Sequence, residues 1–306
     1  MFSETALPRP TLRSRDGVGW FEPVGESINE SFNGVGASNR RNQKVKTIPE
    51  HPQEKNSLNT SGNTILITGG GSGIGRGLAE ALHALGNQVI IAGRRKSVLD
   101  ETTTANPGIK SAALNIEDPD AIKAFAAQIG KNYPSLNVVV HNAGIMRPED
   151  LKSPNPADAE AIITTNLLGP IRLNAALLPL LLKQTHATIM TVSSGLAYVP
   201  LALTPTYSAT KAALHSWTQS LRHQLKDTNV EVLEIIPPYV QTELGGERQV
   251  SDPRAMPLKD FIAETIDILK IQPTPPEICV KNVLFLSRAA ENGKYDEAFN
   301  AVNSMF

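Results

Sequence analysis

Tyr207 and Lys211 stand four residues apart in the run Tyr207-Ser208-Ala209-Thr210-Lys211. Leu214, Trp217, Leu221 and Leu225 follow at spacings of three and four, which is one apolar stripe of a helix. Positions i and i+4 share a helix face, so the phenol and the ammonium sit one turn apart. A nearby cation favours the phenolate and pulls a tyrosine pKa below its ordinary value of about 10. Such a side chain can give or take a proton near neutral pH. Pairs of this kind also occur on helices that do no chemistry, so their weight depends on the elements that surround them.

Far upstream, Thr64-Ile65-Leu66-Ile67 is a short β-branched apolar run, read as a buried strand. It enters Thr68-Gly69-Gly70-Gly71-Ser72-Gly73-Ile74-Gly75. A helical pattern follows, with Leu78, Leu82 and Leu85 on one face and Gly86 as a stop signal. Glycines let the backbone approach a pyrophosphate, and the free N–H groups and dipole of a helix start bind its charge. Thr68, Gly69, Gly71, Ser72, Gly73, Ile74 and Gly75 are the expected contacts. A glycine run alone can be a plain turn, whereas between a strand and a helix it points to a dinucleotide.

These segments together resemble the short-chain dehydrogenase/reductase family. Thr68, Gly69, Gly73 and Gly75 match its T-G-x-x-x-G-x-G motif, and Tyr207 and Lys211 its Y-x-x-x-K. Ser194, in Thr191-Val192-Ser193-Ser194-Gly195, has the family's spacing before the tyrosine. The N-N-A-G motif appears as His141-Asn142-Ala143-Gly144 after Val138-Val139-Val140, with His141 in place of the first asparagine. The resemblance spans roughly residues 62 to 290, and segments such as 166–173 and 214–227 look most like the bacterial DltE-like oxidoreductases, a label that carries no substrate.

The resemblance implies a Rossmann fold, a doubly wound parallel α/β sheet with helices on both faces. It also implies a catalytic set of Asn166, Ser194, Tyr207 and Lys211, with Tyr207 and Lys211 touching the cofactor beside Asn142, Ala143 and Gly144. The place of Asn166 has a physical basis as well. Residues 161–182 are apolar and helical in period, and Pro170 within them has no N–H, which frees the Asn166 carbonyl four residues back. In the family that carbonyl holds a water linked to the lysine. Members usually pair through two long helices, here 161–182 and 207–226, so a homodimer or homotetramer is expected.

Cofactor choice rests on the second strand, Gln88-Val89-Ile90-Ile91-Ala92, which ends in Gly93-Arg94-Arg95. An acidic residue at that end would hold the ribose 2′-OH of NAD and repel a 2′-phosphate. Gly93 stands there instead, and Arg94 and Arg95 suit a phosphate, so NADP is expected ahead of NAD. Asn115 and Ile116 are placed near the adenine, Asn115 replacing the family's aspartate. After the strand-like run 230–236, Pro237, Val240 and Thr242 are placed near the nicotinamide, with Pro238 where the family has glycine. Residues 244–260 read as a mobile flap. Met146, Leu196, Tyr198, Leu203, Tyr239 and Val240 are candidates for an apolar substrate pocket, and each reads equally well as core.

The chain has 306 residues, 41% of them hydrophobic, and a net charge of −1, which gives no support to nucleic-acid binding. Cys279 is the only cysteine, so no intrachain disulfide forms and a reducing, cytoplasmic setting is expected. The six histidines show no metal-ligand spacing. No apolar run reaches the roughly 18 residues needed to cross a membrane. Residues 1–60 are rich in Ser, Asn, Gly and charge without period, and read as a disordered extension ahead of a single domain at 61–306. Leu58 is codable by a TTG start behind a purine-rich stretch at 53–55, so translation from Leu58 is a second reading, which the gene sequence decides.

The expected activity is interconversion of a small-molecule carbonyl and alcohol. A serine hydrolase built on Ser194 lacks the G-x-S-x-G elbow. A non-catalytic NADP sensor is the other rival, and such a protein has no need to retain Ser194, Tyr207 and Lys211 together.

Overall fold

The computed structural model describes residues 57–153 and 155–305. Seven strands form one parallel sheet: β1 (Thr64–Thr68), β2 (Gln88–Gly93), β3 (Lys110–Ala113), β4 (Leu136–His141), β5 (Ala187–Val192), β6 (Val230–Ile236) and β7 (Glu277–Cys279). Their order is β3-β2-β1-β4-β5-β6-β7. The helices are α1 (Gly73–Ala84), α2 (Lys96–Ala105), α3 (Pro119–Asn132), α4 (Pro156–Ile163), α5 (Gly169–Leu181), α6 (Pro205–Leu225), α7 (Glu247–Val250), α8 (Leu258–Leu269), α9 (Leu284–Ser287) and α10 (Tyr295–Asn303).

Strand side chains alternate between faces, and a parallel sheet buries both, which is why these strands are almost wholly apolar. Ile65, Ile67, Val138 and Val140 pack with Leu78 and Leu82 of α1 and with Phe261 and Ile266 of α8. Leu66, Val139, Ile189 and Val232 pack on the other face with Phe125 of α3 and Leu173 and Leu177 of α5. The chain crosses to opposite sides of β1 in making β2 and β4. A crevice therefore opens beyond the carboxyl ends of β1 and β4, the place where doubly wound sheets bind ligands.

Three features differ from the sequence expectation. The helix expected over 161–182 is composite: α4, a π-helical segment at Thr164–Leu168, then α5. Pro170 cannot donate to Asn166, and the ladder widens just before it. The whole helix, Pro156–Leu181, is also long and apolar enough to cross a membrane by length and composition. It lies against the sheet instead, with Ile162, Leu173, Leu177 and Leu181 in the core. Finally, the domain begins before residue 61. Leu58 is buried with β1 and α8, and the Ser57 hydroxyl receives the Thr274 N–H at 2.9 Å. The disorder expected for the leading segment falls on residues 1–56, outside the described residues.

One feature was not anticipated at all. On the α5–α6 face, the sheet turns polar at its carboxyl end. His141, Thr191, Glu234 and Glu277 lie side by side in register across β4 to β7. The first three are essentially fully buried.

Candidate active site

The crevice is a cleft of about 470 Å³. Thr68 closes the end of β1: its hydroxyl accepts the N–H groups of Asn142 at 3.0 Å and Ala143 at 3.1 Å. Asn142 returns a hydrogen bond from Nδ2 to the Thr68 carbonyl at 2.9 Å. The β1 and β4 loops are thus tied to one another beneath the floor of the cleft. Gly69 turns the chain at φ +67°, a conformation open to glycine. A Cβ at Gly75 would stand 2.3 Å from the Gly69 carbonyl and 2.4 Å from Asn142 Nδ2, so α1 can start this close to the loop only without a side chain there. Gly75 shapes the cradle and does not line it, while Gly69, Gly71, Ser72, Gly73 and Ile74 do. A tight glycine turn feeding a helix N-terminus fits a pyrophosphate.

The two arginines differ. Arg94 Nη1 donates to Glu117 Oε1 at 2.7 Å, and Glu117 also accepts from Thr165 Oγ1 at 2.9 Å. Arg95 lies over the loop instead, with Nη2 3.3 Å from the Ser72 hydroxyl. Both line the cleft. Ile116 lines it as expected, but Asn115 does not. Asn115 is exposed, and its carboxamide oxygen accepts the Glu117 N–H at 3.3 Å in a local turn.

Ser194, Tyr207, Lys211, Ala143, Gly144, Pro237, Val240 and Thr242 line the same cleft, with Ala143 against Gly69 and Thr242 against Gly73. Ser194 ends the β5 loop and caps a short 3₁₀ turn, its hydroxyl accepting the Leu196 N–H at 3.1 Å. Tyr207 and Lys211 sit in the first turns of α6, and Lys211 Nζ lies 5.5 Å from the Tyr207 ring centroid. Lys211 donates to the Val192 carbonyl at 2.7 Å. Both side chains are buried. Burial pushes the Tyr207 phenol up to about 12, opposed by the weaker pull of the Ser194 hydroxyl beside it. This reverses the expectation that Lys211 would lower it. The ammonium is turned toward Val192, and desolvation of the phenolate outweighs it. Burial likewise lowers Lys211 to about 8, with the charge of Glu234 acting against that.

Asn166 is fully buried outside the cleft lining and braces it. Its carboxamide receives the Ile145 N–H at 2.8 Å and donates to the Ile145 carbonyl at 2.9 Å. It also donates to Thr210 Oγ1 at 3.3 Å, and Thr210 donates to the Tyr207 carbonyl at 2.7 Å. Asn166 therefore joins the 142–145 loop to the helix that carries Tyr207. His141 is buried beside Asn174, and desolvation lowers it to about 4, so its ring is neutral.

Of the candidate pocket residues, Met146 and Val240 line the cleft. Leu196 and Tyr198 pack toward the C-terminal helices, and Leu203 is exposed. Arg147, Glu243, Leu244 and Gln249 also line it and carry no sequence signature. Gln249, from α7, is buried and donates to the Val240 carbonyl at 2.7 Å and Thr242 Oγ1 at 3.1 Å, anchoring the segment read as a flap.

A doubly wound sheet with a glycine cradle at its crossover and a buried serine, tyrosine and lysine nearby defines a dinucleotide-dependent oxidoreductase. The short chain dehydrogenase family profile matches residues 63–252. The chain is also 40% identical to the uncharacterized oxidoreductase DltE of Bacillus subtilis strain 168, over 81% of this chain and 99% of that protein. A short-chain dehydrogenase from Streptomyces avermitilis superposes with a TM-score of 0.67 at 26% identity, covering 78% of this chain and 98% of that one. Another from Shigella flexneri 2a strain 301, solved with NADP, superposes with a TM-score of 0.60 at 25% identity, covering 68% and 92%. The chain belongs to the short-chain dehydrogenase/reductase family and is an oxidoreductase with an NAD(P)-binding Rossmann fold.

Proposed function

We propose that the protein is an NADP-dependent reductase or dehydrogenase that interconverts a small carbonyl compound and its alcohol, with Ser194, Tyr207, Lys211 and Asn166 as its working set. The observation that carries this reading is that Ser194, Tyr207 and Lys211 line the same cleft as the glycine cradle. NADP, when bound, supplies or takes up the hydride. Tyr207, protonated across the neutral range, delivers its proton to the carbonyl oxygen during reduction. The Ser194 hydroxyl donates to the same oxygen as negative charge grows there, where a fixed donor stabilises the transition state most. Lys211, largely ammonium at neutral pH, keeps two N–H groups beyond the one given to Val192. They serve the cofactor ribose and favour the phenolate left after proton transfer. Asn166 holds the 142–145 loop and Tyr207 in one frame, and its carbonyl, which Pro170 cannot bond, anchors a water on the path that reprotonates Tyr207.

Arg95 over the cradle and the lack of a carboxylate at Gly93 favour NADP over NAD. Among the described residues no histidine lines the cleft, which leaves Ser194 without the base a hydrolase needs. A two-fold dimer through the long helices over 161–182 and 207–226 is part of the proposal: Ile163, Leu167, Pro205, Ala209 and Ala213 line a shallow apolar groove between the start of the first helix and α6. A panel of ketones, aldehydes and alcohols, followed by nicotinamide absorbance, tests the activity. Absence of turnover with any of them in wild-type protein that binds NADPH would favour the sensor reading.

A further inference from the structure

We infer that buried Glu234, paired with His215, is a positioning device for Lys211, holding a negative charge behind the lysine and setting how much of it is ammonium at neutral pH. The inference rests on the reading of Lys211 given above.

Lys211 and His215 are one turn apart on α6, and Glu234 lies on β6 beneath that helix with no exposure to solvent. Both Glu234 carboxylate oxygens face His215 Nδ1, at 2.8 and 3.0 Å. Since a carboxylate only accepts, Nδ1 carries a hydrogen and donates. The Tyr198 hydroxyl is 3.3 Å from the same nitrogen, and the two rings lie 4.7 Å apart. Tyr198 closes the turn that Ser194 opens, so the pair also links the Ser194 turn to the helix of Tyr207 and Lys211. On the outer side, the Gln219 carboxamide lies 3.1 Å from His215 Nε2. Its amino group can donate to a bare Nε2, and its oxygen, after rotation, can accept from a protonated one. His215 is therefore supported in either charge state.

Of the other charged groups around the pair, Glu277 has a counter-charge, whereas Arg222 meets only carbonyls and opposes protonation of His215. Glu277, beside Glu234 in register, is paired with Arg288 Nη2 at 3.0 Å. Arg222, on the same helix, donates to the Val232 and Pro276 carbonyls. Cys279 on β7 is pushed up to about 11, chiefly by burial, and is a neutral thiol. Glu234 bonds His215 directly, and its charge also reaches Lys211 on the same helix. Its hydrogen bond raises His215 above the ordinary histidine value, against burial. Its charge also supports the Lys211 ammonium against the desolvation that would strip it. Protonated His215 shields that charge, and neutral His215 exposes it to Lys211. His215, Glu234 and Glu277 also offer three ligand atoms within 4.8 Å of one another, but Arg288 already supplies the counter-charge a metal would bring.

Titration of the lysine Cε signals of the free protein by NMR tests this, with Lys211→Arg identifying the Lys211 resonance. Glu234→Gln keeps the shape and an acceptor for His215 but removes the charge, so the Lys211 midpoint should fall by about one pH unit. His215→Gln keeps a donor to Glu234 but cannot be charged, so the midpoint should hold or rise. An unmoved midpoint in Glu234→Gln overturns the inference. A fall in both variants also overturns it, because lost packing rather than lost charge would then be responsible. So does a stoichiometric divalent cation in the purified protein that disappears in Glu277→Gln. No substrate enters this measurement, so a failed substrate screen sinks the functional reading alone.

Discussion

Replacing Arg95 with glutamine should remove most of the preference for NADPH while leaving NADH binding nearly unchanged. The 2′-phosphate carries close to two negative charges, and the Arg95 guanidinium lies 3.3 Å from the Ser72 hydroxyl of the cradle. Among the described residues, Arg95 makes no ion pair that a phosphate would have to displace. A charge-assisted hydrogen bond contributes about 1.5–3 kcal/mol, so Arg95→Gln should weaken NADPH by about 10- to 150-fold. Arg94 is a different case, because its Nη1 is held by Glu117 at 2.7 Å. Turning it to phosphate exchanges one anion for another, and an exposed pair of this kind is worth only about 0.2–1 kcal/mol. Arg94→Gln should therefore cost less than about tenfold. Gly93→Asp should invert the preference, and the side chain has room, since a Cβ there meets only Leu99 Cδ2 at 3.7 Å. Fluorescence titration of NADPH and NADH into each variant reads all three. Equal NADPH affinity in wild type and Arg95→Gln, or a greater loss in Arg94→Gln, would refute the argument that Glu117 holds Arg94 back. Raising the salt concentration should narrow the wild-type preference, since these arginines are solvent-facing.

Tyr207→Phe should lose at least about a hundredfold in turnover with NADPH affinity essentially intact, because only the transferable proton is removed. A mutant keeping a tenth of the wild-type rate would contradict the role given to Tyr207. Light scattering at micromolar concentration should give a dimer or a tetramer, and a monomer would rule out the interface drawn on the two long helices. Glu231 should make the fold less stable as pH rises. Burial raises its carboxyl from 4.5 to about 7, against a hydrogen bond from Leu58, so the folded state binds the extra proton between those values and loses that advantage above them. Allowing for its partial exposure, Glu231→Gln should stabilise the protein by roughly 1–2 kcal/mol above pH 7 and by nothing near pH 4, as read by urea unfolding at both. Equal stabilisation at the two pH values would show that packing, and not charge, is at work.

Much of this architecture is local and was legible in the chain. Each β-branched run of β1, β2, β4 and β6 is buried on both faces, and a strand of that kind is written in consecutive residues. The glycine cradle and the Tyr207–Lys211 spacing are also set within a few residues, since backbone sterics and helix periodicity act over one turn. The break at Asn166 followed from Pro170 for the same reason, although the π-helical form it takes did not.

What only the tertiary structure decided are the pairings of charge. Arg94 meets Glu117, 23 residues on. The Tyr207 pKa moves opposite to the local expectation, because its burial and the direction of Lys211 depend on the β5 loop lying against α6. His141, Thr191, Glu234 and Glu277 look like unrelated polar residues along the chain, and strand register alone makes them one row, the first three of it buried. Local sequence determines backbone geometry through short-range sterics. The field at a side chain, in contrast, is summed over groups that only folding brings within a few ångströms, and the protonation states at this site belong to that second kind of information.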